Sequence, residues 1–331
     1  MTAPQAKPSA NAASRRAAAK QKPSEAGTWG VVSTVKAPAE QIAAFVAYHL
    51  NLGAAQIWLY FDDPKDPALP RFANLPLVTA TPCDEAHWQH LKGRPDRHQN
   101  RQAKNARAAY RDCHLAWLAH IDVDEFLHRA RPESETISDI LASLPPEQAT
   151  LRVEPFEAMH EPSLPDDIFT ARQFRGALKP RHAHLRGPVL GPYAQILPQA
   201  HLSHSNGKSF FRTGVAGLQL RLHSAFFKGE RLAAPPFDRR LQLLHFHAQD
   251  RAAWLAALPF RLTRGAYQYH PELQAHLQAA SPEGIVSFYD HTQRLTPELA
   301  ALLAEEGRLI EGRLNLRAAV AALPGFDADP K

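Results

Sequence analysis

Cysteine is nearly absent. Cys83 and Cys113 are the only two in 331 residues, so neither a disulfide framework nor a Cys-rich zinc site can be built. Glycine is sparse, 16 against 28 prolines, which excludes a collagen-like repeat and points to stiff surface connections. HExxH, GxSxG, CxxC and GxGxxG do not occur. Metalloprotease, serine-hydrolase, dithiol and Rossmann dehydrogenase readings therefore have no support. Long hydrophobic runs are also missing. Residues 42–61 carry no Asp, Glu, Lys or Arg, but His49, Asn51 and Gln56 interrupt the stretch and Gly53 breaks it. It reads as an amphipathic helix followed by a buried strand instead of a membrane span.

Net charge is +5, and it is unevenly spread. Residues 1–27 hold Lys7, Arg15, Arg16, Lys20 and Lys22 against Glu25, a net +4 that leaves +1 for the body. A general nucleic-acid surface is not implied, and no nucleic-acid partner is expected. The tail lacks large aliphatic residues after Met1 and any apolar signal-peptide core, and is expected to be disordered. It is read as a solvated tail, with a weak peripheral contact to an anionic membrane as the alternative. Hydrophobic residues make up 44%, enough for one large or two ordinary domains of about 100–200 residues.

Trp29 to Val35 reads as a strand, Ile57 to Phe61 is a continuous apolar run of strand type, and Leu75 to Thr81 and Leu115 to Ile121 continue the series. Between the first two, Ile42, Phe45, Val46, His49 and Leu50 share one helical face, with Pro38 at its start and Gly53 at its end. Arg97 to Asp112 reads as a second helix, Thr136 to Leu144 as a third. Phe210–Phe211 and Leu218 to Leu222 read as strands, residues 254–258, 271–279 and 297–314 as helices. Apolar rather than alternating strands, interleaved with helices, predict an α/β fold with a mostly parallel sheet covered on both faces. Ligands bind such sheets at the carboxyl ends of the strands.

Acidic clusters follow two of those ends. In Trp117-Leu-Ala-His-Ile-Asp122-Val-Asp124-Glu125-Phe-Leu127 a buried strand runs straight into three carboxylates. In extended geometry Asp122 and Asp124 project to one side, and like charges about 4 Å apart repel by about 4 kcal/mol at an effective dielectric of about 20. A divalent cation reverses that sign, and oxygen ligation suits Mg²⁺ or Mn²⁺. The alternative is a solvated acidic strand end. Asp62 and Asp63 close the second strand in a turn able to accept hydrogen bonds from a nucleoside, or simply to face water. Arg97, Arg101, Lys104 and Arg111 form a basic helix face able to meet phosphate. Asn206-Gly207-Lys208-Ser209 is a turn into a strand with a lysine positioned for a leaving phosphate, although it is not a Walker loop. His245 and His247 alternate onto one face, and one of them could complete a metal shell.

These residues together resemble a family 2-type glycosyltransferase of GT-A fold: Val31–Val35, Phe45-Val-Ala-Tyr-His49, Leu52-Gly53, Ile57 to Asp63, and the D-x-D-E-F segment from Asp122. The resemblance is to a bacterial subgroup and covers residues 28–130, with Gly207-Lys208-Ser209 and Leu244-His245-Phe246 as weaker downstream matches. It implies a nucleotide-sugar donor, Mn²⁺ or Mg²⁺, and inversion at the anomeric carbon. Carried onto this sequence, Asp62, Asp63, Arg101 and Asp122 contact the donor. Asp122, Asp124 and His245 (less favoured, His223) hold the metal, and Lys208 is catalytic, stabilising the departing diphosphate. The catalytic base is not visible; Glu157, Asp166 and Asp167 are candidates.

The expected organisation is a tail (1–27), a GT-A-like domain (28–247) and a helical C-terminal extension (248–331). The acceptor, whether carbohydrate, lipid-linked or protein, is not specified, and a cytoplasmic or inner-membrane peripheral location is expected. The alternatives are a metal-dependent nucleotidyl- or phosphotransferase and a non-catalytic nucleotide-sugar-binding protein.

Overall fold

A computed structural model describes residues 26–161, 163–164 and 168–326. The basic residues of the expected tail, and Asp166 and Asp167, lie outside them.

The parallel half of the fold is built from β1 (Trp29–Val35), α1 (Ala39–Asn51), β2 (Gln56–Phe61), α2 (Leu69–Ala73), β3 (Val78–Pro82), α3 (Glu85–His90), α4 (His98–Asp112) and β4 (Trp117–His120). These strands stand in the order β3-β2-β1-β4, all parallel. They are apolar on both faces because helices cover both. Ile42, Phe45, Val46 and His49 of α1 are buried in the larger core, and α4 buries Ala106 and Ala109 against the opposite face. Gly53, at φ 97°, ends α1 where its N–H donates to the Leu50 carbonyl. The third strand starts later than the apolar pattern suggests, because Leu77 takes a left-handed conformation (φ 61°) and is 55% exposed.

The antiparallel half follows: β5 (Glu125–Arg129), α5 (Ile137–Ala142), β6 (Thr150–Ala158), β7 (Gln173–Gly176), α6 (Arg186–Leu190) and β8 (Lys208–Arg212). β8 pairs antiparallel with both β4 and β6, carrying the sheet beyond β4. A separate small sheet contains β9 (Leu218–Leu220), β10 (Ala225–Phe227) and β11 (Glu230–Arg231). β12 (Phe237–His245) then runs parallel to β6 and antiparallel to β5.

The chain ends in α7 (Arg251–Thr263), α8 (Pro271–Ala279), α9 (Pro282–Gln293), α10 (Pro297–Glu305), β13 (Leu309–Glu311) and α11 (Leu316–Ala321). The helix expected over 297–314 is shorter: Gly307 at φ 62° stops it, and Leu309–Glu311 pairs with β7 instead. The C-terminal helices share a second core with Leu178 to Leu202, while α11 packs on α1. The α/β class with its helix-flanked sheet and helical C-terminal region is thus the one expected from the sequence. Among the described residues no helix is long and apolar enough to cross a membrane.

Candidate functional site

The acidic motif forms the link between β4 and β5. Asp122 N–H donates to Glu125 Oε2 at 2.7 Å, and Glu125 N–H donates to the Asp122 carbonyl at 3.0 Å. This closes a tight turn at the carboxyl end of β4. The Phe246 N–H donates to the Asp124 carbonyl at 2.9 Å, which ties the turn to the end of β12.

Lys208 enters from the first residue of β8. Gly207 before it sits at φ 68°, and a Cβ there would lie 2.1 Å from the Val153 carbonyl oxygen, so only glycine fits. The Lys208 ammonium lies 2.5 Å from Asp122 Oδ2 and 2.9 Å from Glu125 Oε2. Lys208 and Glu125 are fully buried. Burial alone would discharge the lysine, but the two carboxylates overcome that and hold its pKa above the ordinary range. Asp122 is held well below the usual carboxylate range: burial opposes this, and the Lys208 charge outweighs it. For Glu125 burial wins despite Lys208, and its carboxyl is pushed up to about 7.

His245, the last residue of β12, pairs in register with Glu125. Its Nε2 lies 3.5 Å from Asp124 Oδ2, and its Nδ1 lies 3.2 Å from Ser203 Oγ. Burial depresses this imidazole, but Asp124 more than compensates and raises it to about 9. Three further histidines adjoin the cluster. His204 Nε2 lies 3.7 Å from Glu125 Oε1, and its ring centroid is 4.0 Å from that of His223. His120 and His223 are kept neutral mainly by burial, at about 3 and about 4.

The donors present suit a divalent cation. Two ligands each about 2.1 Å from one ion stand about 3 Å apart, close to the separation of Asp124 Oδ2 and His245 Nε2. Ligand atoms of Glu125, His204 and His245 all lie within 4.8 Å of one another. Glu125 Oε1 is buried without a hydrogen-bond partner, an orphan acceptor that a cation would satisfy. Asp122 is more occupied, since Gln102 Nε2 donates to its Oδ1 at 2.6 Å and Lys208 to its Oδ2.

Of the residues singled out in the sequence, Asp122, Asp124, Lys208 and His245 converge. Asp62 and Arg101 pair with each other instead of standing independently. Arg101 donates to both Asp62 oxygens, at 2.7 and 2.8 Å, and to the Pro95 and Asp96 carbonyls. Arg94 adds a contact at 3.2 Å. Asp63 is exposed and accepts from the Lys65 N–H at 3.0 Å, a local turn bond. Glu157 is buried and accepts the Leu202 and Ser203 N–H groups, so its carboxylate anchors the segment before His204. Gln102, His120 and His204 carry no spacing signal and were not singled out from the sequence. Glu125 was visible only as the third acid of the motif.

The profile of glycosyltransferase family 92 matches residues 32–217, a span that starts within β1, ends just before β9 and contains the acidic turn and Lys208. No curated protein matches the sequence. The family 2-type resemblance holds at the coarser level of a glycosyltransferase. The chain belongs to glycosyltransferase family 92.

Proposed function

We propose that this protein transfers a sugar from a nucleotide-sugar donor to an acceptor hydroxyl, with Mn²⁺ or Mg²⁺ and with inversion at the anomeric carbon. The observation that carries the reading is the convergence of Asp122, Asp124, Glu125 and Lys208, all within the region matched by the family, with His245 from the end of β12 at the carboxyl end of β4. Asp124 and His245, with Asp122 beside them, would hold the ion, whose chemistry is to neutralise the donor diphosphate as its charge builds. Lys208 fixes Asp122 and Glu125 in place and adds a permanent positive charge next to the leaving group. Asp62, clamped by Arg101, and Asp63 present acceptor oxygens for the nucleoside after β2, one strand beyond β1 from the acidic turn. Sugar transfer from such a donor releases an intact nucleoside diphosphate, which separates the reading from nucleotidyl transfer.

The test is hydrolysis of UDP- and GDP-sugars by the full chain, with and without Mn²⁺, in wild type and Asp124→Asn. Hydrolysis that requires the ion and falls about 100-fold or more in the variant is expected. Metal-independent turnover, or an unaffected variant, would overturn it.

A further inference from the structure

A cavity of about 320 Å³ lies between the central sheet and the segment that contains the small sheet. Its polar walls are Thr150 and Arg152 of β6, Ser209 of β8, His223 and Ser224 of the β9–β10 turn, and Arg231 of β11. Among the described residues no Asp or Glu lines it. Arg152 donates to the main-chain carbonyls of Asn206 and Pro235 and lies over the Phe237 ring, and among the described residues neither it nor the exposed Arg231 forms an ion pair. Two guanidinium groups and three hydroxyls, with no carboxylate among the described lining residues, make a pocket for an anion.

Its position connects it to the candidate site. The His223 ring centroid lies 4.0 Å from that of His204, tilted against it, His204 itself faces Glu125, and His223 Nδ1 bonds the carbonyl of Gly207, next to Lys208. In the strand order β2-β1-β4-β8-β6, Asp62 follows β2 on one side of the acidic turn, and the cavity stands on β8 and β6 on the other. A nucleoside at Asp62 and a diphosphate at β4 would leave that far side for the acceptor.

We propose that this cavity binds the acceptor and that the acceptor carries an anionic group, a carboxylate or a phosphate, held by Arg152 and Arg231. The assignment to an acceptor rests on the donor reading above; the anion preference stands on the cavity walls.

The full chain, without metal or nucleotide, is titrated by calorimetry with glucuronate, glucose 6-phosphate and glucose. At least one anionic probe is expected to bind about tenfold more tightly than glucose. Preference for glucuronate assigns a uronic acid-type acceptor, preference for glucose 6-phosphate a phosphorylated one. Arg231→Ala and Arg152→Gln should each weaken that probe about fivefold or more, and Arg231→Lys should recover most of the loss at Arg231. Because Arg231 is exposed, its variants test the site even if Arg152→Gln does not fold. Equal binding of glucose and both anions, or undiminished binding in Arg231→Ala, overturns the proposal. A separate titration of wild type with UDP- and GDP-sugars and Mn²⁺ distinguishes the two failures. Donor binding without anion preference removes this inference alone, and anion preference without donor binding removes the donor reading and the word acceptor with it.

Discussion

His49 offers a quantitative test of how the acidic turn is held. It lies on the buried face of α1, with Nδ1 2.8 Å from the Phe45 carbonyl and Nε2 accepting the Leu127 N–H at 3.3 Å. Both bonds are satisfied only by the neutral Nδ1–H tautomer. The ring stacks on Phe126, and burial lowers its pKa to about 4. The unfolded chain takes up this proton near pH 6.5, the folded chain only near pH 4. Between those values the unfolded state binds more protons, so stability falls as pH falls. The contribution is fully present above pH 6.5, and about 3 kcal/mol of it is lost by pH 4. His49→Leu removes the titration and leaves the Leu127 N–H unsatisfied, at a cost of about 1–3 kcal/mol near pH 8. Urea unfolding of both proteins from pH 8 to pH 4.5 should therefore show the variant weaker at pH 8 and the difference shrinking or reversing in acid. The other buried histidines affect both proteins alike and cancel in the difference. A gap that stays constant over this range would refute the reasoning.

Three further outcomes follow from the geometry. Gly207→Ala forces a side chain into a left-handed position against the Val153 carbonyl. It should lose about 1–3 kcal/mol in urea unfolding, and donor hydrolysis should fall more steeply than stability because Lys208 moves with it. Lys208→Met leaves Asp122 and Glu125 facing each other without their shared cation, and should destabilise by about 3–5 kcal/mol at neutral pH, with Glu125→Gln in the same chain restoring part of the loss. Arg101→Lys cannot reproduce the two-oxygen grip on Asp62 and should increase amide hydrogen exchange over residues 95–101, while exchange in β4 stays unchanged.

The parallel half of the molecule was legible because each of its signals is local. β1, β2 and β4 are short, mostly apolar and largely buried runs, and α1 spaces its buried residues at helical intervals. β6 was hidden by Pro155, which has no N–H to give a ladder. In the fold it falls between the stretch of β6 paired with β8 (150–153) and the stretch paired with β7 (156–158). β5 is short, and its register is set by β12 more than a hundred residues later, so nothing near it announces a strand. The same distinction governs the site. The Asp122–Asp124 motif announces itself by its place at the end of a buried run. His204 meets Glu125 only through tertiary structure, and the Asp62–Arg101 pair joins a turn to a helix that looked like separate features.

The last strand among the described residues has a consequence for how the protein can be made and trimmed. β13 covers the outer side of β7, and Arg308 just before it gives its main-chain oxygen to the Gly176 N–H and its guanidinium to Glu154. During synthesis the β7 border therefore stays bare until Leu309–Glu311, far along the chain from it, has left the ribosome. A version shortened before Leu309 would keep that border exposed permanently, as a template for pairing with other molecules.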